Sequence, residues 1–92
     1  MRDRITLQKL EKYFSVTKAA LAKARSSENR TKIDRSDIID MVERYLSDAK
    51  HFFENSDYVN AFACLNYAHG WLDCAARLGI FDVHDSRLFT VD

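Results

Sequence analysis

A histidine, an aspartate and an arginine recur at four-residue intervals in the second half of the sequence, as His69, Asp73 and Arg77. On a helix, residues four apart are neighbours, so the carboxylate of Asp73 would reach both flanking side chains. A carboxylate that orients an imidazole occurs in catalytic and in structural sites. No serine or cysteine has a spacing that would make it a nucleophile for His69, since Cys64 lies about 140° further round a helix. We therefore predict a structural polar cluster at the edge of the core, with a small-ligand site as the alternative, and assign no catalytic residue.

A second spacing with chemical meaning joins Arg44 to His51 across six residues. This spacing resembles the signature of the small helical ribonucleases called HEPN domains, in which the arginine would grip phosphate and the histidine would move a proton. The same spacing recurs at Arg77 and His84, and neither arginine is followed by the polar residue that such motifs tend to carry. An exposed ion-pair ladder that begins at Asp40 is the simpler interpretation, and a HEPN-like ribonuclease remains an alternative.

Basic residues are concentrated in the first third of a chain whose formal net charge is zero. Residues 1–35 contain ten Lys and Arg against four acids, and residues 36–92 contain four against ten. A solvated basic helix packed beside acidic helices explains this asymmetry, and a phosphate-binding face is the alternative. That alternative face would consist of Arg2, Lys9, Lys12 and Lys23. The sequence has no glycine-rich phosphate loop and no metal-ligand spacing, so we predict no metal and no cofactor.

Apolar periodicity predicts three helices, at about residues 3–25, 34–54 and 58–78, followed by an apolar tail over residues 79–92. Asp34 is expected to cap the second helix, and Gly79 is expected to end the third in a left-handed conformation. Short loops between long helices favour an all-α, up-and-down three-helix bundle. We predict a single domain over residues 1–92, with the tail packed on or near helix three.

Helix three is apolar over about two thirds of its circumference, more than two neighbouring helices can cover. Its extra apolar side is the predicted binding surface. Either the tail or another protein, including a second copy, would cover it. Gly70 lies mid-helix and is expected to relieve crowding within the bundle, with a close-packed partner as the alternative. The residues assigned to this extra side are Trp71, Tyr67, Leu78, Cys74 and Gly70.

Both cysteines, Cys64 and Cys74, are expected to be buried and reduced, because ten residues of helix separate them by more than a disulfide spans. No apolar run approaches the length of a membrane span, and the first residues lack the apolar stretch of a signal peptide. These features predict a soluble cytoplasmic protein without membrane contact.

The third helix also carries a resemblance. The stretch "YVNAFACLNYAHGWLDCAARLGIFDV", residues 58–83, resembles an archaeal family of small helical domains of unknown function, DUF357. Its specific parts are "NYAHGWLD" and "RLGIF", and the upstream "KYFSVTKAALAKA" is similar too. The resemblance implies an archaeal origin and a three-helix bundle, but no activity or catalytic residue. It suits an adaptor or assembly role, since similar domains accompany other domains. We predict a non-enzymatic protein-interaction domain, with nucleic-acid or nucleotide binding as the alternative.

Overall fold

The computed structural model describes residues 2–90 and contains three helices over that range, α1 (Leu7–Ser26), α2 (Ser36–Glu54) and α3 (Tyr58–Arg77). The start of α1, the end of α2 and the start of α3 share one apolar cluster, and their opposite ends share a second. Successive helices are therefore antiparallel, and the predicted all-α three-helix bundle is confirmed. None of these helices is long and apolar enough to cross a membrane.

The first two helices begin later than their sequence patterns predicted. The hydroxyl of Thr6 accepts a bond of 3.1 Å from a backbone N–H in the first turn of α1, so that helix starts four residues after the predicted position. Asp34 is not the cap of α2, because that position is taken by Arg35 without a side-chain bond. Asp34 instead accepts a 2.9 Å bond from the backbone N–H of Ser36, which holds the pKa of Asp34 below its usual value.

The end of α3 follows the predicted glycine cap. Gly79 has a φ of 81°, a left-handed conformation that glycine adopts without strain. Its N–H donates to the carbonyl of Ala76 at 3.1 Å, and the N–H of Ile80 donates to the carbonyl of Ala75 at 2.9 Å. These two bonds form a Schellman motif. The motif turns the chain back onto the bundle and buries Ile80.

The tail completes the core at the far end of the bundle. Its backbone is tied to the loop between α1 and α2, because Arg30 N–H donates to Gly79 and Asp82 N–H donates to Glu28, each at 2.9 Å. The predicted packing of the tail on helix three is confirmed by an apolar cluster that joins it to all three helices. The buried apolar residues of the tail are Ile80, Phe81, Val83 and Phe89.

Arg35, in the loop between α1 and α2, binds the tail through its guanidinium group. The guanidinium carbon of Arg35 lies 5.4 Å from the ring centroid of Phe81, in a cation–π arrangement. The same guanidinium donates to the carbonyls of Ile80 and Arg25 and to the hydroxyl of Ser27, at 3.3–3.4 Å. Arg35 therefore covers a fully buried ring and satisfies two carbonyls.

Candidate interaction face

One side of α3 faces solvent although most of its residues carry no charge. This outer face of α3 consists of the exposed residues Val59, Asn60, Ala63, Asn66, Tyr67, Gly70, Trp71, Cys74, Arg77 and Leu78, the last being the C-cap, and Arg77 is its single charge. It includes all five residues that the sequence assigned to the extra apolar side. Val59 is 70% exposed, Tyr67 63%, Leu78 62% and Trp71 41%. Apart from Tyr67, whose ring stacks on Tyr45 of α2, residues 2–90 place no helix and no part of the tail over this surface.

A shallow concave site, wide open to solvent, lies at the centre of the outer face. Its volume is about 520 Å³, and Gly70 stands between the larger side chains that form its walls. A methyl group built on Gly70 would meet no atom within 4 Å outside its own stretch of helix. The expectation that Gly70 relieves crowding within the bundle is therefore wrong. The residues that line the site are Asn66, Tyr67, Gly70, Trp71 and Cys74.

Replacing Gly70 with alanine is expected to raise the free energy of unfolding by about 0.5–1 kcal/mol, because alanine costs less backbone entropy in a helix and finds open space here. Urea unfolding of the isolated domain measures the change. Gly79→Ala is the matched control, since its positive φ predicts a loss of about 1–2 kcal/mol from the same chemical change. A destabilising Gly70→Ala substitution would mean that the site over Gly70 is already filled.

The tail runs along the opposite border of α3, where His69 and Asp73 hold it. The Leu88 carbonyl lies 2.6 Å from Nε2 of His69, and a carbonyl only accepts, so Nε2 carries the proton. Nδ1 of the same ring is hydrogen-bonded to the Thr17 hydroxyl at 3.1 Å. Asp73 Oδ1 accepts the backbone N–H of Thr90 at 3.0 Å. The histidine thus links α1, α3 and the tail.

Arg77 does not join this cluster. Nε2 of His69 and Oδ1 of Asp73 are 3.7 Å apart, but Arg77 is exposed and makes no hydrogen bond or ion pair with Asp73. A groove of about 250 Å³ between α1 and α3 passes beside His69 and Asp73. Their bonds to Thr17 and to the tail give both side chains a packing role, and the small-ligand alternative stays a prediction.

The two cysteines differ from each other. Cys64 is partly buried, and its pKa is raised first by that burial and then by the negative charge of Asp48. Cys74 is exposed on the outer face, so the prediction that both thiols are buried is wrong. Its position beyond the reach of both neighbouring helices explains the exposure. Within residues 2–90, no three His, Cys, Asp or Glu side chains are grouped to hold a metal ion.

The basic residues of the first helix do not form one cluster. The ammonium of Lys23 pairs with Asp85 of the tail at 2.9 Å, and the pKa of Asp85 is held well below its usual value by Arg87 and by Lys23. Lys9 and Lys12 line a depression of about 540 Å³ at the start of α1. Arg2 is exposed ahead of that helix. Lys23 is thus paired within the chain, and Lys9, whose ammonium lies 5.9 Å from the Tyr13 ring centroid, shares a surface with Lys12.

The arginine and histidine with ribonuclease-like spacing lie on the exposed side of α2. Nε of Arg44 donates to Asp40 at 2.9 Å, which confirms the predicted ion pair. The arginine side chain is 73% exposed, and His51 follows two helical turns later, about 10 Å along the axis. Of the second pair, Arg77 is exposed on α3, whereas His84 lies in the tail, 2.9 Å from Asp82.

These features define a class of protein, a small three-helix domain with a C-terminal segment in its core and one uncovered helix face. The chain belongs to the family described as protein of unknown function (DUF357), whose model matches residues 12–81. The matched segment covers most of α1, all of α2 and α3, and the first buried residues of the tail. No curated protein and no solved structure matches the chain.

Proposed function

We propose that this domain is a non-enzymatic protein-interaction module that binds its partner through the outer face of α3. The carrying observation is that residues 2–90 leave an apolar face of α3 exposed. Val59, Tyr67 and Leu78 are each more than half exposed along one helix. Contiguous apolar patches of this kind mark interaction sites on soluble domains.

The composition of the face supports binding to a protein. Trp71 and Tyr67 are of the residue types that dominate binding energy at interfaces, and both border the concave site over Gly70. The ring of Tyr67 stacks on Tyr45 of α2 with centroids 5.3 Å apart, so little of its freedom would be lost on binding. The centre of the face carries no charge, as is typical of interface cores.

The test compares three baits in extracts treated with nuclease: the native domain, Trp71→Glu and the matched control Ile33→Glu. Ile33 is 54% exposed in the loop before α2, so it receives the same chemical change away from the face. A protein captured by the native domain is purified and its Kd measured for all three. We expect the Kd to rise at least about tenfold for Trp71→Glu and to stay unchanged for Ile33→Glu. Equal affinity for a folded Trp71→Glu variant would refute the proposal.

The alternative function, nucleic-acid or nucleotide binding, would use the surface that Lys9 and Lys12 share at the start of α1. A salt titration separates the two functions, because phosphate contacts release counterions and weaken steeply with salt, whereas apolar docking does not. Binding of single-stranded RNA that falls with salt and is lost in Lys9→Glu with Lys12→Glu would favour this alternative.

A further inference from the structure

A second surface lies between α1 and α2, which touch each other only slightly because both pack mainly on α3. Their separation leaves a groove of about 500 Å³, and none of its lining residues belongs to α3. The floor is formed by Phe14 and Phe53, whose rings meet edge to face with centroids 5.8 Å apart. Both rings are only partly buried, and the ammonium of Lys18 lies 5.7 Å from the Phe14 ring centroid, so that lysine partly covers the apolar surface left on this side.

The rim of this groove is charged, and the charges are separated by sign. Because α1 and α2 are antiparallel and their phenylalanines are in contact, positions along the two helices can be compared at 1.5 Å per residue. Glu11 and Glu54 lie on one side of the aromatic pair, and Lys18 and Lys50 lie on the other. The groove therefore has an acidic end and a basic end.

We propose that a second copy of this chain covers the groove, related by a two-fold axis perpendicular to α1 and α2 at the level of Phe14 and Ser15. This axis places Glu11 of one copy opposite Lys18 of the other, since their sequence midpoint lies between residues 14 and 15. The same axis places Glu54 opposite Lys50, whose midpoint, residue 52, is at nearly the same level. Each acidic end thus meets a basic end, and the paired phenylalanines of the two copies stack at the centre.

The charges select this arrangement against its main competitor. A two-fold axis parallel to the helices would lay α1 of one copy on α2 of the other at equal height. It would bring Glu11 to Glu54 and Lys18 to Lys50, and like charges face to face oppose association. Within one chain, the ammonium of Lys50 lies 4.0 Å from the carboxylate of Glu54. The perpendicular axis places the same two residues of the second copy opposite this pair, so that positive and negative charges alternate across the interface.

The dimer leaves the outer face of α3 on the far side of each copy. It would therefore present two partner-binding faces pointing away from each other, as a bivalent connector does. This consequence rests on the proposed function, but the dimer itself does not.

Light-scattering mass measurements over a concentration series test the dimer. The native domain is expected to show twice its chain mass of 10.7 kDa. An acidic variant (Lys18→Glu with Lys50→Glu) and a basic variant (Glu11→Lys with Glu54→Lys) are each expected to be monomeric. An equimolar mixture of the two is expected to regain the dimer mass, because each variant supplies the charges that the other lacks. Circular dichroism checks that both variants fold.

A cross-link tests the axis. With Cys64 and Cys74 replaced by serine, Ser15→Cys is expected to form a disulfide between copies, because residue 15 lies beside the axis. A monomeric native domain, a dimer that survives in both charge variants, or a mixture that stays monomeric would overturn the proposal. Trp71→Glu is expected to leave the dimer intact. If it instead abolishes the dimer, the copies associate through α3, and this inference fails while the proposed function stands.

Discussion

Replacing Phe81 with alanine is expected to lower the free energy of unfolding by about 3–5 kcal/mol. The ring is 0% exposed and belongs to the cluster that joins the tail to all three helices. Its removal would leave a cavity and would also strip Arg35 of the ring it covers. A domain of this size has a total stability of about 5–15 kcal/mol, so the variant should be close to unfolding at moderate temperature.

Urea unfolding followed by circular dichroism measures this loss. Leu78→Ala is the matched control, since Leu78 is an apolar side chain that is 62% exposed and close in sequence. The control is expected to change stability by less than about 1 kcal/mol. If Phe81→Ala lowered the free energy of unfolding no more than Leu78→Ala does, the tail would not be part of the core. The tail would then be free to cover the outer face of α3.

Replacing His69 with alanine is expected to lower the free energy of unfolding by about 1–3 kcal/mol. The substitution leaves two groups without partners, the carbonyl of Leu88 and the hydroxyl of Thr17, which is only 1% exposed. A buried polar group that loses its only partner costs about 1–3 kcal/mol. The tail should also loosen, so hydrogen exchange at the Thr90 N–H bound by Asp73 is expected to accelerate.

Two further variants separate this role from a general effect of losing an imidazole. His51 lies on the exposed side of α2, and His51→Ala is expected to change stability by less than about 0.5 kcal/mol. His69→Gln keeps one donor and one acceptor and is expected to restore part of the loss. A His69→Ala variant with native stability and native exchange at Thr90 would contradict the assignment of His69 to holding the tail.

The helices and the cap at Gly79 were predictable because their causes are local. Periodicity identifies the buried stripes, and a glycine after the last apolar turn identifies the end of α3. The starts of α1 and α2 were less predictable. Thr6 lies before α1, and the neighbouring residues Asp34 and Arg35 lie before α2, each at a position where an N-cap would fit. The choice among such neighbours depends on bonds that the loop makes with the rest of the chain.

The course of the tail was not predictable, because the contacts that fix it join residues far apart in sequence. Thr17 and His69 are 52 positions apart, and neither residue by itself predicts a contact with the other. The sequence holds one signal for this contact that the prediction missed. Thr17 lies within the apolar stripe of α1, and a threonine there implies a polar partner across the core. Gly70 was ambiguous for the same reason, since a mid-helix glycine suits a crowded site and an empty one equally.

Trp71, the only tryptophan in the chain, is a fluorescent reporter on the outer face of α3 and tests directly whether this face binds the partner. Acrylamide quenching of its fluorescence is measured for the isolated domain over a concentration series, and then with a saturating amount of the protein captured by the native bait. We expect efficient quenching at every concentration of the domain alone, and a marked loss of quenching when the partner is bound. Quenching that the bound partner leaves unchanged, or a tryptophan already shielded in the isolated domain, would contradict the claim that this face is the binding surface.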